Sequence, residues 1–149
     1  MAQQGAPLNM AFVLDSSVAL SWFYDEEATA ATDERFDQLN RDGQAIVAAH
    51  WVLEVGNTLL VAERRKRSTV ADSSHFLALL DSLPIEADPE TISRANAATL
   101  NLARSQGLTL YDSATLELAM RRSLPLATLD KALRAAAEKC GVACLPETF

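Results

Sequence analysis

Cysteine and histidine are scarce in this sequence, with two of each in 149 residues. Cys140 and Cys144 lie near the end of the chain without a histidine or a second cysteine pair beside them, so they do not make a zinc-binding pattern. Their spacing leaves a disulfide open, but free thiols in a reducing cytoplasm are the favoured interpretation. Cross-links are not needed here, because a domain of this length buries a sufficient hydrophobic core.

Long apolar runs and an excess of basic charge are missing as well. No apolar run reaches the ~20 residues that a membrane-spanning helix needs. The formal net charge of −7 argues against nonspecific binding of nucleic acid through a broad basic surface. A nucleic-acid substrate stays possible, since a bound cation or a local basic patch can meet the phosphates.

The start of the chain shows no targeting segment. Residues 1–10 lack both the basic start and the apolar centre of a signal peptide. We expect residues 1–9 to form a loose tail, with Met10 as an alternative start, and residues 10–149 to form a single domain.

Short apolar runs alternate with helical patterns along the rest of the chain. Five runs have the length and composition of strands, at residues 11–14, 44–49, 84–88, 125–129 and 142–145. Helices are predicted between and after them, at residues 17–23, 28–41, 51–62, 70–83, 89–105, 113–122 and 131–139, with an acidic helix start at residues 25–27. Strands separated by helices, with no tight hairpin signal, predict an α/β fold with a parallel sheet covered on both faces.

Three aspartates stand at the starts of predicted helices. Asp15 directly follows the first strand, at the sheet edge where ligands bind in parallel α/β folds. The simpler alternative is that Asp15 is a helix N-cap, whose side chain accepts a hydrogen bond from a free amide of the first turn. Asp112 and Asp130 have the same alternative, and Asp130 also follows a strand. Thr128 adds a hydroxyl on the same side of that strand.

Glu54 has no such cap explanation. It lies inside the helical segment Val52-Leu-Glu-Val-Gly-Asn-Thr-Leu-Leu, which is apolar on nearly every side, and no Lys or Arg stands three or four residues away. A buried carboxylate is costly without a partner. Asn57, one helical turn later, is placed to orient the carboxylate. The alternative is that Glu54 points into a solvent gap.

Together these positions predict four carboxylates that face one crevice. Carboxylates this close repel each other and must either take up protons or bind cations. Their oxygens suit the hard ions Mg²⁺ and Mn²⁺ better than zinc. Since such a site activates water and holds a phosphodiester for in-line displacement, the composition favours metal-dependent phosphodiester hydrolysis.

Four segments in this order resemble the motifs of PIN-domain ribonucleases: Val13-Leu-Asp-Ser-Ser-Val-Ala-Leu-Ser-Trp-Phe, Glu54-Val-Gly-Asn-Thr-Leu, Leu108-Thr-Leu-Tyr-Asp-Ser-Ala and Leu126-Ala-Thr-Leu-Asp-Lys-Ala-Leu. In length and motif order the chain is most similar to the VapC toxins of bacterial and archaeal toxin–antitoxin pairs. The likeness extends from Phe12 to Leu145. No single segment is specific, but the four at these spacings are.

This resemblance implies a PIN-like three-layer αβα sandwich with a parallel five-stranded sheet and a Mg²⁺ or Mn²⁺ site. It also implies endonucleolytic cleavage of RNA, inhibition by a cognate VapB-type antitoxin, a homodimer and a cytoplasmic location. The residues implied as catalytic metal ligands are Asp15, Glu54, Asp112 and Asp130, supported by the hydroxyls of Ser16 and Thr128 and by Asn57 behind the ligands.

The sequence departs from the family pattern at two positions. Ser113 stands where many members have alanine, which leaves the metal ligands untouched. His50 stands where proline is often found just before the glutamate helix, so the geometry of that loop is open.

Three other functions stay open. A phosphatase with an aspartyl nucleophile needs a second acid two residues after Asp15, where this chain has Ser17. A phosphate-accepting receiver domain shares acids at strand ends but needs no carboxylate inside a helix such as Glu54. An inactive binding module of the same fold tolerates the loss of an acid, and none of the four is missing.

A basic segment ends the helix of Glu54, at residues 64–67, Arg-Arg-Lys-Arg. Cations suit the negative end of the helix dipole, so a solvated basic face is the default and contact with an RNA backbone the alternative. Trp22, Phe23 and Trp51 are predicted as core or interface residues rather than base-stacking platforms. The apolar helix at residues 70–83 is available for pairing with a second copy.

Overall fold

A five-stranded parallel sheet forms the centre of the protein, which a computed structural model describes for residues 11–24 and 28–146. The strands are β1 (Ala11–Leu14), β2 (Gln44–Val47), β3 (Ile85–Ala87), β4 (Leu126–Ala127) and β5 (Cys144–Leu145). Their spatial order is β3-β2-β1-β4-β5, and every neighbouring pair is parallel. The predicted parallel five-stranded sheet is therefore confirmed.

Helices cover both faces of this sheet. They are α1 (Ser16–Ser21), α2 (Ala30–Arg41), α3 (Trp51–Arg64), α4 (Val70–Asp81), α5 (Thr91–Arg94), α6 (Leu100–Gln106), α7 (Leu110–Arg122) and α8 (Lys131–Lys139), with a π-helical turn at Ala95–Thr99 that joins α5 to α6. Gly107 ends α6 in the left-handed conformation, at φ 67°, which glycine adopts without a steric penalty.

Side chains alternate across the central strand and build two cores. Phe12 and Leu14 of β1 pack on one face, in a cluster with residues of α1 to α4. Val13 packs on the opposite face, with Leu116 of α7 and Leu133 of α8. This period of two is the geometry of a strand buried on both sides, and it makes a three-layer αβα sandwich.

Several predicted elements are longer than the observed ones, because residues at their ends make tertiary contacts instead of continuing the strand or helix. The strand predicted at residues 44–49 ends at Val47, and the amide of Ala49 instead donates to the Thr91 hydroxyl at 3.1 Å. The helix predicted at residues 89–105 begins at Thr91 and contains the π-helical turn. Leu83 and Phe76 of the helix predicted at 70–83 are buried as expected, whereas Leu77 is exposed.

A buried ion pair ties the sheet edge to α7. Asp88 follows β3, and its carboxylate accepts hydrogen bonds from both terminal nitrogens of Arg121, at 3.2 and 2.6 Å. The Thr91 hydroxyl donates to the same carboxylate at 2.9 Å, and Glu117 receives the Arg121 Nε at 3.0 Å. Such a paired geometry meets the requirement that buried charges be matched.

Other expectations concern the ends and the surface. Cys140 and Cys144 are free, as predicted. Within residues 11–24 and 28–146, no helix has both the length and the apolar character that spanning a membrane requires. The predicted tail at residues 1–9 and the predicted acidic helix start at residues 25–27 lie outside the described residues.

Candidate active site

The candidate site lies where the strand order reverses. β1 and β4 are neighbours, and the chain leaves them toward opposite halves of the sheet. Asp15 follows β1 directly, and Thr128 follows β4. The Asp15 amide still donates to the Ala127 carbonyl at 2.9 Å, so the two strand ends are held together. Crevices at such reversal points are the usual ligand sites of open α/β sheets.

The side chain of Asp15 is buried and held by two hydroxyls. Asp15 is 7% exposed, and its Oδ2 accepts hydrogen bonds from Ser17 Oγ at 2.6 Å and from Thr128 Oγ1 at 2.9 Å. It stands at the N-cap position of α1 but makes no capping hydrogen bond. The N-cap interpretation of Asp15 is therefore wrong, and the carboxylate is oriented toward the crevice by its neighbours.

Both hydroxyls are in turn fixed by the loop after β4. Ser17 Oγ accepts the amide of Leu129 at 2.9 Å, and Thr128 Oγ1 accepts the amide of Asp130 at 3.0 Å. Ser17 was not among the supporting residues expected from the sequence, although a hydroxyl two residues after Asp15 was the signal that could have found it. The three side chains form one hydrogen-bonded network that joins the ends of β1 and β4.

Glu54 is half-buried in the first turn of α3. Its side chain is 35% exposed, so it is neither enclosed in the core nor free in solvent. Burial, the largest cause, and the charges of Asp15 and Asp112 together raise the pKa of Glu54 to about 7, while a hydrogen bond from Ser16 opposes the rise. Repulsion among these three groups indicates that they share one crevice, as their positions in the sequence predicted.

His50 also belongs to this crevice, which sequence reasoning missed. Its Nε2 lies 3.7 Å from Glu54 Oε1, and its ring packs against Tyr111 with ring centres 5.6 Å apart. Burial lowers the pKa of His50, against the opposing effects of the Asp15 charge and a hydrogen bond with the Tyr111 backbone. From the sequence, His50 was notable only because it replaces a proline that is common at this position. That replacement does not predict its contacts with Glu54 and Tyr111.

Asp112 lies in the first turn of α7 but does not cap it. The helix begins at Leu110, three residues earlier than predicted, and the side chain of Thr109 caps it by accepting the Asp112 amide at 3.1 Å. The N-cap interpretation of Asp112 is therefore wrong. Burial raises the pKa of Asp112 to about 6, and the charges of Asp15 and Asp130 contribute to the rise.

Asp130 is exposed and does cap its helix. Its Oδ1 accepts the amide of Leu133 at 2.9 Å, at the start of α8. The N-cap alternative is thus realised for this one acid. Its charge nevertheless acts on Asp112, so Asp130 stands at the rim of the same crevice.

Asn57 is exposed on α3 and makes no hydrogen bond with a carboxylate in the described part of the chain. It lines a groove together with Ser17 and Leu129. Its role behind the ligands stays a prediction.

The fit of a metal ion depends on the donor set. Among the described residues, no three His, Cys, Asp or Glu side chains are arranged closely enough to hold an ion. The chemistry of the donors does fit a hard divalent cation, because Asp15, Glu54 and Asp112 repel one another and no Lys or Arg pairs with them in the described structure. A bound cation would remove this repulsion.

The sequence matches a known family. The PIN domain model aligns with residues 12–139, which is most of the chain. The chain belongs to the PIN-domain family. PIN domains are generally nucleases. No curated protein sequence matches the chain.

Three solved structures share the fold of this PIN domain. PAE2754 from Pyrobaculum aerophilum superposes with a TM-score of 0.66 at 24% identity, over 91% of this chain and 92% of that one. VapBC2 from Rickettsia felis, bound to a DNA fragment from its promoter, gives 0.56 at 12% identity, over 85% and 92%. FitAcB from Neisseria gonorrhoeae gives 0.52 at 18% identity, over 91% and 97%. At these identities the likeness is one of fold.

Proposed function

We propose that this PIN domain is a metal-dependent endoribonuclease that hydrolyses RNA phosphodiester bonds. The observation that carries the proposal is the convergence of Asp15, Glu54 and Asp112, with Asp130 at the rim, at the point where the strand order reverses. Acids that raise each other's pKa in a crevice are a recognised mark of functional sites. Membership of a family of nucleases supports the same chemistry.

Mg²⁺ or Mn²⁺ is the proposed cofactor, with Asp15, Glu54, Asp112 and Asp130 as its ligands. When bound, such an ion activates water and neutralises charge on the phosphate during in-line displacement. Asp15 offers its Oδ1, since Oδ2 is taken by the hydroxyls of Ser17 and Thr128. Those hydroxyls fix the carboxylate in advance, which reduces the cost of organising the site.

The other functions considered from the sequence fit less well. An aspartyl phosphatase or a receiver domain uses the acid after β1 with a partner acid, but here Ser17 Oγ donates to Asp15 Oδ2. Neither function requires Glu54, which faces Asp15 from a helix. An inactive binding module would have no reason to keep mutually repelling acids, because each costs folding free energy without a cation.

We further propose that the protein is the toxin of a toxin–antitoxin pair, acts in the cytoplasm and is held inactive by a VapB-type antitoxin. Structures of VapBC2 and FitAcB share the fold, which supports this assignment. A homodimer is proposed as well. Exposed apolar side chains of Val52, Leu53 and Tyr111, at 62, 73 and 63%, lie beside the acids in the sequence and would be covered by a second copy.

Cleavage of a labelled RNA by purified protein tests the enzymatic proposal. Activity should vanish in excess chelator and return with Mg²⁺ or Mn²⁺. Glu54→Gln should abolish cleavage, whereas Glu86→Gln, a matched change at an exposed acid of β3, should not. Full activity in chelator would refute the metal mechanism.

Light scattering tests the homodimer. A monomer at a protein concentration of tens of micromolar, on the order of the dissociation constant of a weak dimer, would refute it.

A further inference from the structure

A groove runs along α3 from the candidate site to the basic segment at the end of that helix. Its volume is about 410 Å³. Ser17 and Leu129 line one end, Asn57 lines the wall, and Arg65 and Arg67 line the other end. The groove thus joins the acidic site to the one basic run that the sequence contains in a chain of net charge −7.

The groove is continuous with the site through one side chain. Ser17 Oγ donates to Asp15 Oδ2 at 2.6 Å and accepts the Leu129 amide at 2.9 Å. A ligand that reaches Asp15 from this side therefore passes Ser17 and Leu129.

The structure divides the basic segment into two pairs. Arg65 and Arg67 line the groove, whereas Arg64 and Lys66 are exposed and not among its lining residues. The guanidinium of Arg67 lies 5.2 Å from the centre of the Tyr24 ring, a cation–π contact that keeps it on the groove wall. The side chain of Arg65 has no hydrogen bond or ion pair within the described residues, so its guanidinium donors are available to a ligand.

We propose that this groove binds the backbone of a single-stranded RNA, with one phosphate at the acidic site and a later phosphate on Arg65. This inference rests on the proposed ribonuclease function and adds the path of the substrate. Guanidinium groups bind phosphate oxygens in a bidentate geometry. The Asn57 amide offers both a donor and an acceptor to the strand between the two ends.

The distance between the acidic site and Arg65 sets the minimum length of an RNA strand that contacts both. Glu54 and Arg65 are eleven residues apart along α3, which corresponds to about 16 Å at 1.5 Å per residue. A strand must therefore contain several nucleotides to touch both ends. The groove wall is mixed, with Asn57 and Thr58 beside the apolar side chains of Leu20, Val61 and Ala62. What favours RNA over a protein segment is the basic end of the groove, since single-stranded nucleic acid is bound in positively charged grooves that follow its backbone.

Arg65→Gln tests the proposal, with Arg64→Gln as the matched control in the same segment. Binding of a labelled single-stranded RNA is measured by fluorescence anisotropy with Ca²⁺ in place of Mg²⁺ or Mn²⁺, on RNA shown by gel to stay intact, so that a hard cation offsets the repulsion between the acids and the phosphate. Arg65→Gln should lower affinity about three- to fivefold, the effect of one exposed ion pair, and flatten the salt dependence by about 0.7 in log–log slope. Arg64→Gln should leave both unchanged. A dinucleotide, too short to reach Arg65, should not distinguish the variants.

Cleavage assays in Mg²⁺ distinguish a failure of the groove proposal from a failure of the proposed ribonuclease function. There Arg65→Gln should raise KM while kcat stays near wild type, because Arg65 binds the strand away from the reacting phosphate. If wild type cleaves RNA but Arg65→Gln equals Arg64→Gln in affinity, slope and KM, the groove is not the RNA path and is left for a protein segment. No binding of RNA by wild type would also refute the proposal. Binding through Arg65 without cleavage would refute the ribonuclease function and leave the groove standing.

Discussion

The hydroxyl of Thr128 lies 2.9 Å from Oδ2 of Asp15, and these two residues, 113 positions apart in the chain, directly follow the neighbouring strands β4 and β1. Thr128 is fully buried and Asp15 is 7% exposed. The same hydroxyl accepts the amide of Asp130 at 3.0 Å, so one oxygen connects two of the four acids. The position of the carboxylate is thereby set by the sheet itself rather than by a mobile loop.

Thr128→Val should reduce both stability and metal binding. Valine keeps the shape but removes the donor to Asp15 and the acceptor for the Asp130 amide, which leaves buried polar groups unpaired. We expect a loss of about 1–3 kcal/mol in the free energy of unfolding, measured by urea denaturation. The stabilisation by Mn²⁺ should shrink, because Asp15 loses its orientation. Thr128→Ser, which keeps the hydroxyl, is the control; if valine behaves like serine, the hydrogen bonds have no such role.

The parts of the fold that depend on local pattern could be predicted from the sequence. The parallel sheet follows from strands that alternate with helices, and Lys131–Lys139 is a helix with the predicted bounds. Convergence of the acids could also be predicted, because parallel strands share one carboxyl edge. Thr128 illustrates this, since its contact with Asp15 follows from its position just after one of these strands.

What could not be predicted depends on contacts between distant segments. The start of α7 was misplaced because Thr109, rather than Asp112, accepts the free amide, and both residues are acceptable caps by type. His50 joins the site only because α3 packs near Tyr111. The division of the basic segment, with Arg65 on the groove and Arg64 outside it, depends on the rotation of the helix end.

Asp88→Asn should cause a large loss of stability. Burial alone raises the pKa of Asp88, but hydrogen bonds from Arg121 and Thr91 hold it below its ordinary value. Removal of the charge leaves Arg121 buried with only part of its pairing, and breaking such pairs costs about 3 kcal/mol or more. Glu34→Gln, at the exposed pair with Arg41, should cost less than about 0.5 kcal/mol. Equal urea midpoints for the two variants would contradict this reading of the network.

The metal-free protein should lose stability as pH rises from about 4.5 to about 7. The pKa of Glu54 is raised from 4.5 to about 7, so over this range the folded state binds more protons than the unfolded chain. The free energy of unfolding therefore falls with increasing pH. Melting temperatures in chelator should show this fall in wild type, and a weaker one in Glu54→Gln.

With Mn²⁺ present the pH dependence should change sign, because ligands must lose their protons before they bind a metal. The Mn²⁺-induced increase in melting temperature should grow between pH 5.5 and 7.5, roughly the range of the two raised pKa values. A Mn²⁺ effect that is constant over this range would show that Glu54 and Asp112 are not the groups that bind it.

Asp112→Asn separates metal binding from helix structure. Thr109 caps α7, so the change at Asp112 removes no capping bond, and it relieves repulsion from Asp15 and Asp130. The metal-free variant should be at least as stable as wild type at pH 7.5. Its Mn²⁺-induced increase in melting temperature should be small, since stabilisation by a ligand follows its affinity for the folded state. RNA cleavage should fall by at least about a hundredfold, the upper range for residues that support a metal site.

Thr109→Ala is the opposite control: loss of the cap should cost about 1 kcal/mol and leave the Mn²⁺ effect and the cleavage rate per folded molecule intact. Because the two residues stand three positions apart at the start of one helix, a general disturbance of that helix would affect both variants alike. Only the role of Asp112 as a metal ligand predicts opposite outcomes, and an Asp112→Asn variant with the full Mn²⁺ effect and normal cleavage would exclude it.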